Sequence, residues 1–107
     1  NKAAKAMRQE MRRWRIHLRS DKALDDLARM FNPIIRGWVN YYGSYYKSEL
    51  CPIFKQLDRN LLRWTMRKHK RFRNHQRRAW HWLGDIAQRE PQLFAHWHLL
   101  NVRPTAG

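Results

Sequence analysis

The residues best suited to chemistry are Lys55, Arg59, Arg63 and Arg67, cations at uniform i,i+4 spacing, followed directly by Lys68, His69, Lys70, Arg71 and Arg73. Their chemistry is the holding of phosphates, not the breaking of bonds. On a helix, like charges at this spacing repel by a few tenths of a kcal/mol per pair, and a polyanion would remove that penalty. The row spans about 18 Å at helical rise, comparable to several successive phosphates. From Leu50 to Arg78 the lone carboxylate is Asp58 among ten Lys or Arg, so positive charge is concentrated here. Arg36 adds a cation in an aromatic stretch. Tyr41 and Tyr42 are candidates either for packing or for stacking on unpaired bases, with packing the first reading.

Other arrangements are poorer candidates. Asp25 and Asp26 superficially resemble the paired metal-holding aspartates of polymerases, but Ala23 stands where the preceding aromatic belongs and no flanking strands are predicted. Carboxylates at a helix start explain the pair. His81, His96, His98 and Cys51 lack familiar zinc-ligand spacing, and the histidines read as surface residues. No catalytic or metal-binding residue is assigned.

Overall charge agrees with this reading. The chain has 107 residues with 23 Lys plus Arg against 8 Asp plus Glu, a formal +15. Nucleic acid is the leading partner for such a surface. A basic membrane-binding face is the weaker alternative. The single Cys51 needs no oxidising compartment, and no apolar run approaches the length of a membrane span. A cytoplasmic, non-exported protein is expected. Because the chain opens at Asn1 and enters a helical pattern at once, it reads as a piece of a longer polypeptide.

The elements that must position these cations are helical throughout. Met7, Met11, Trp14 and Leu18 make one apolar stripe from Lys2 to Arg19, with Arg8, Arg12, Arg15 and Arg19 beside it. Ser20 offers a cap for a second helix carrying Leu24, Leu27, Ala28 and Phe31. That helix must kink or break at Asn32-Pro33, where Asn32 caps a central, largely buried helix to Tyr46. Gly37 costs that helix about 1 kcal/mol relative to Ala, which predicts a backbone or ring passing close by. Gly43 is a candidate end. Pro52 opens the next helix, with Phe54, Leu57, Leu61 and Trp64 inward, and a further helix fits Asn74 to Glu90. Trp38 and Trp64 are assigned to the core. The expectation is one all-α domain over residues 1–107: a bundle of three main helices plus a smaller fourth as core 7–90, and an irregular tail 91–107 laid on it and frayed from Arg103.

The run N-P-I-I-R-G-W-V-N-Y-Y from Asn32, followed by F-K-Q-L-D-R-N-L-L-R-W-T-M-R-K-H-K from Phe54 to Lys70, resembles the maturase-specific domain of group II intron reverse transcriptases, also called domain X or the thumb. The resemblance spans roughly Met7 to Arg73. It implies a non-catalytic domain that binds intron RNA and the RNA–DNA template-primer duplex, working with the rest of its own reverse transcriptase chain in splicing and intron mobility. The parent chain would be an RNA-directed DNA polymerase, with Mg²⁺ in a palm domain absent here and no cofactor in this fragment. Arg36, Gly37, Trp38, Tyr41 and Tyr42 match motif positions, as do Arg67, Lys68 and His69. The rival class is an independent basic helical DNA-binding module of a regulator. A recognition helix should then mix Asn, Gln, Ser and Arg at its exposed start, whereas the Pro52 helix carries a row of cations.

Overall fold

A computed structural model describes residues 2–104. It is all-α: α1 (Lys2–Trp14), a 3₁₀ turn (Ile16–Leu18), α2 (Leu24–Lys68), a second 3₁₀ turn (Lys70–Phe72), α3 (Gln76–Arg89) and α4 (Ala95–Leu99). Among the described residues there is no strand.

The organising element is α2, 45 residues long. Straight, it would reach about 68 Å, yet the longest dimension of the molecule is 40 Å. The helix is folded back at Tyr46, whose φ −129°, ψ 30° leave the helical region, giving two antiparallel limbs, 24–45 and 47–68. Trp38 and Phe54, on either side of the fold, bring their ring centroids to 6.4 Å. At the open end Trp64 Nε1 donates to the Arg19 carbonyl at 2.9 Å, and Lys68 Nζ donates to the carbonyls of Ser20 and Lys22 at 2.9 and 2.8 Å. Burial of Leu27, Ala28, Phe31 and Ile35 against Leu50, Ile53, Phe54, Leu57 and Leu61 drives the closure.

The two prolines do not break the helix where the sequence predicts. Helix continues through Asn32-Pro33 and through Pro52. Both rings are exposed, as are Arg29 and Ser48, the residues whose carbonyls the prolines leave without a helical N–H partner. At Gly37 the close neighbour that the sequence predicts is missing: an added Cβ would meet nothing within 4 Å. Asn32 is not a cap but a clamp: its Nδ2 donates to the Leu93 carbonyl at 2.8 Å and its Oδ1 accepts the Ala95 N–H at 2.9 Å. Ser20 is not the cap of α2 either. The helix begins at Leu24, where Asp26 Oδ2 accepts the Ala23 N–H at 3.0 Å and so satisfies a first-turn donor.

The first helix also ends earlier than its apolar spacing suggests. Arg15 adopts a left-handed φ of 49°, and the Arg19 guanidinium donates to the Trp14 carbonyl at 2.6 Å. That break turns Ile16 into the core and leaves Leu18 46% exposed. Ala4, Met7, Met11 and Trp14 seat α1 on the α2 hairpin. Trp14 stacks on Phe31 at 4.3 Å and on Trp38 at 5.4 Å. Trp64 is buried, whereas Trp38 is half-buried at the margin of the core.

The tail is core, not covering. Phe94, Ala95, His96, Trp97 and Val102 are buried with α2. Asp58, the lone carboxylate of the basic stretch, is buried too, and its Oδ1 lies 2.7 Å from His96 Nε2 and accepts the Trp97 Nε1–H at 2.8 Å. His96 is therefore an interior residue, contrary to its surface assignment. Most buried polar atoms are partnered; His96 Nδ1 is not, and the partners of Asp58 lie too far away in sequence for local pattern to reveal them. Arg103 is tied down by donating to the Trp97 carbonyl at 3.1 Å, and Pro104 is buried. The Pro104 carbonyl would stand 3.2 Å from a Cβ at position 84, so Gly84 is where a close approach calls for glycine. The expected fraying of 105–107 lies outside the described residues.

Candidate nucleic-acid interface

An i,i+4 row is not a straight line: each step rotates 40° around a 3.6-residue helix, so Lys55 to Arg67 turns through about 120°. All of these side chains are exposed, but they face different neighbours. Arg63 borders a cleft against α1, lined by Arg8, Met11, Arg12, Gln56 and Asn60. Arg67 borders a second cleft with Ser20, Met66, Lys70, Arg73 and Asn74. Lys55 and Arg59 turn away to a concavity with Asp58, Trp80, Arg103 and Pro104.

His17 lies within electrostatic reach of Arg63 of the first cleft and of Arg67 of the second. Its imidazole is held below the ordinary value by burial foremost and then by the positive fields of Arg63, Arg67 and Arg15. Arg63 and Arg67 stand one turn apart on α2, so Arg8, Arg12 and Arg63 of the first cleft and Arg67, Lys70 and Arg73 of the second form a cationic band. The α1 arginines complete it. Their stripe is visible in the sequence, but only the packing of α1 through Met11 and Trp14 brings it opposite Arg63. In the cleft wall Gln56 Nε2 donates to Asn60 Oδ1 at 3.1 Å and Arg59 donates to Gln56 Oε1 at 3.3 Å. These bonds give the Arg63 wall a fixed polar lining.

Lys68 and His69 serve the fold. The Lys68 ammonium, besides its two carbonyl partners, lies 5.5 Å from the Trp64 ring centroid. His69 sits among Trp64, Phe72 and Trp82, and burial, then Arg71 and Lys68, lowers its pKa. Lys70 and Arg71 are exposed, with the Arg71 guanidinium 4.7 Å from the Phe72 ring centroid. Arg36 is exposed on the first limb of α2, apart from the band. Tyr41 and Tyr42 meet edge to face at 4.8 Å near the fold of α2; Tyr42 is half-buried and Tyr41 is 77% exposed.

Asp26 accepts from the Ala23 N–H and from Arg29 at 2.7 Å, and these bonds, the backbone one first, hold its carboxyl below the usual value. Among the described residues no three His, Cys, Asp or Glu gather as a metal site, and no helix is long and apolar enough to cross a membrane. The arrangement suits binding of an extended polyanion.

The family model for the group II intron, maturase-specific domain matches residues 4–82. No curated protein and no solved structure matches.

Proposed function

Because the chain belongs to the group II intron maturase-specific domain family, we propose that it binds intron RNA, and in the context of a reverse transcriptase the template-primer duplex, to support splicing and reverse transcription. The observation that carries the reading is the cleft in which Arg8 and Arg12 of α1 face Arg63 of α2. Arginines from two elements, held apart by a packed Met11, can grip phosphates of one backbone from both sides. The forked guanidinium suits that task better than a point charge. The band continues over Arg67, Lys70 and Arg73, giving a path along which successive phosphates can lie. No carboxylate is among the residues lining these clefts, and their cationic lining supports a role in holding RNA in position.

Binding of a structured RNA measured against salt tests this reading. Each phosphate contact adds roughly 0.7 to 0.9 to the slope of log K on log salt. Replacing Arg12 and Arg63 with Gln should lower the slope by about one to two and weaken binding across RNA sequences. If that double variant keeps the parent's affinity and slope, the cleft is only a solvated surface and the reading fails.

A further inference from the structure

Lys55 and Arg59 stand outside both clefts and border a different site. With Asp58, Trp80, Arg103 and Pro104 they line a concavity of about 280 Å³, just below the roughly 300 to 1,000 Å³ of small-ligand pockets. Three segments meet there: the second limb of α2, α3 and the residues after α4. Lys55, Arg59 and Arg103 are exposed, and among the described residues none of them has a carboxylate partner. Arg59 donates to Gln56 Oε1 at 3.3 Å, and Arg103 donates through Nε to the Trp97 carbonyl at 3.1 Å. That anchor positions the Arg103 guanidinium and leaves its terminal N–H groups for a ligand.

Trp80 gives the site an aromatic wall. Of the six tryptophans it alone has neither a ring contact nor a cation over its face among the described residues; each of the other five meets another ring. It is half-buried and packs against both the main core and the smaller cluster of Leu62, Phe72 and Ala79, which fixes its orientation. Asp58 adds an acceptor. Its Oδ1 is taken by His96 and Trp97. Among the described residues His96 Nδ1 is the one side-chain nitrogen or oxygen sealed without a partner, so the unpartnered Asp58 Oδ2 reaches solvent, which Asp58 meets at this concavity.

We propose that this concavity holds one unpaired nucleotide of RNA, its base against Trp80 and its phosphate among Lys55, Arg59 and Arg103. The inference rests on the reading that the chain binds RNA, and adds a seat for a splayed-out base to the clefts that follow a backbone. Arg103 lies beyond the residues matched by the family model. A base stacks on an aromatic ring whatever its identity, and N–H groups on its edge suit the free oxygen of Asp58. A bare anion such as inorganic phosphate would leave the indole unused and face the carboxylate. A duplex, with its bases stacked inside, offers none to the indole. A nucleotide uses the cations, the ring and the acceptor together.

The probe is a 5′-phosphorylated adenylyl dinucleotide, and the same ribose phosphates without bases serve as comparison. Binding to the full chain is followed by NMR at the Trp80 indole N–H, with Kd expected on the order of hundreds of micromolar. The abasic compound should bind at least about fivefold more weakly, the loss that one stacked base implies. Lys55→Gln with Arg59→Gln, on an exposed helix face, should weaken the dinucleotide about tenfold without lowering the melting temperature. Trp80→Leu should remove the advantage of the dinucleotide over the abasic compound. Arg12→Gln with Arg63→Gln, which tests the clefts through structured RNA, should leave dinucleotide Kd within about twofold, so the pocket and the clefts stand or fail separately. An unmoved Trp80 signal in the folded parent would overturn the proposal, as would equal binding of the abasic compound. So would loss of the dinucleotide in the Arg12 and Arg63 variant but not in the Lys55 and Arg59 variant, or an acidic aromatic peptide that occupies the site and resists displacement by the dinucleotide.

Discussion

Trp97 donates its indole N–H to the carboxylate of Asp58 across 39 positions of sequence, at 2.8 Å and out of contact with water. The same oxygen meets His96, so one aspartate on α2 fixes α4. Asp58→Ala leaves two buried ring nitrogens without an acceptor and should cost about 1 to 3 kcal/mol for each. Asp58→Asn retains an amide oxygen for Trp97 and should cost less. Urea denaturation of both variants measures the difference; equal, small losses would mean that α4 is held by apolar burial alone.

The aromatic stack predicts an order of damage. Trp14 and Trp64 are buried, and truncation of either to Ala should cost about 3 to 5 kcal/mol. Trp38, half-buried at the edge of the same stack, should cost less, about 1 to 3 kcal/mol. Thermal melts of the three variants rank them, and a Trp38→Ala loss equal to the Trp14→Ala loss would contradict the packing described.

Lysines 68 and 70 are two positions apart in sequence and should behave oppositely. Lys68→Gln removes contacts to Ser20, Lys22 and Trp64 and should lower the melting temperature while changing the RNA salt slope little. Lys70→Gln should leave stability within about 0.5 kcal/mol and lower the slope. Reversal of the two phenotypes would move the binding surface to Lys68.

Both His17 and His69 have folded-state pKa values below the ordinary 6.5. Above that value the imidazoles are neutral in the folded and unfolded chain alike, and no stability is lost. As pH falls below it the unfolded chain takes up protons first, so stability should decline until the folded-state values are passed. Urea midpoints at pH 7.5 and 5.5 should show the decline, and His17→Gln with His69→Phe should flatten it. A parent midpoint that rises on acidification would contradict the assigned direction.

Much of the helical content was legible because period alone reports it: Met7, Met11 and Trp14, and Leu57, Leu61 and Trp64, are buried as their spacing predicts. The joints were not. Pro33 and Pro52 are strong local signals, yet both ride on exposed faces where water takes up their cost, and the actual fold falls at Tyr46, with neither Gly nor Pro at that position. Asn32, read as a cap, and His96, read as a surface residue, are buried, and the burial of Asp58 drew no expectation, because a polar residue is classed by its partner and each partner lies 38 or more positions away. For the candidate site, the exposure of Lys55, Arg59, Arg63 and Arg67 follows from the sequence pattern. Their division among clefts, and the arrival of Arg8 and Arg12 opposite Arg63, are products of tertiary packing.

The docking of the last elements onto α2 also bears on synthesis. A ribosome delivers Asn32 and Asp58 long before Leu93, Ala95, His96 and Trp97 emerge to meet them. Until then Asn32 and Asp58 lack these partners, and the face of the α2 hairpin that receives Phe94, His96 and Trp97 is uncovered. The core of this domain is thus completed only when residues 93–102 have joined it. A message broken upstream of the Trp97 codon would yield a chain that cannot complete its core, and cellular proteases could clear such a chain before it occupied RNA.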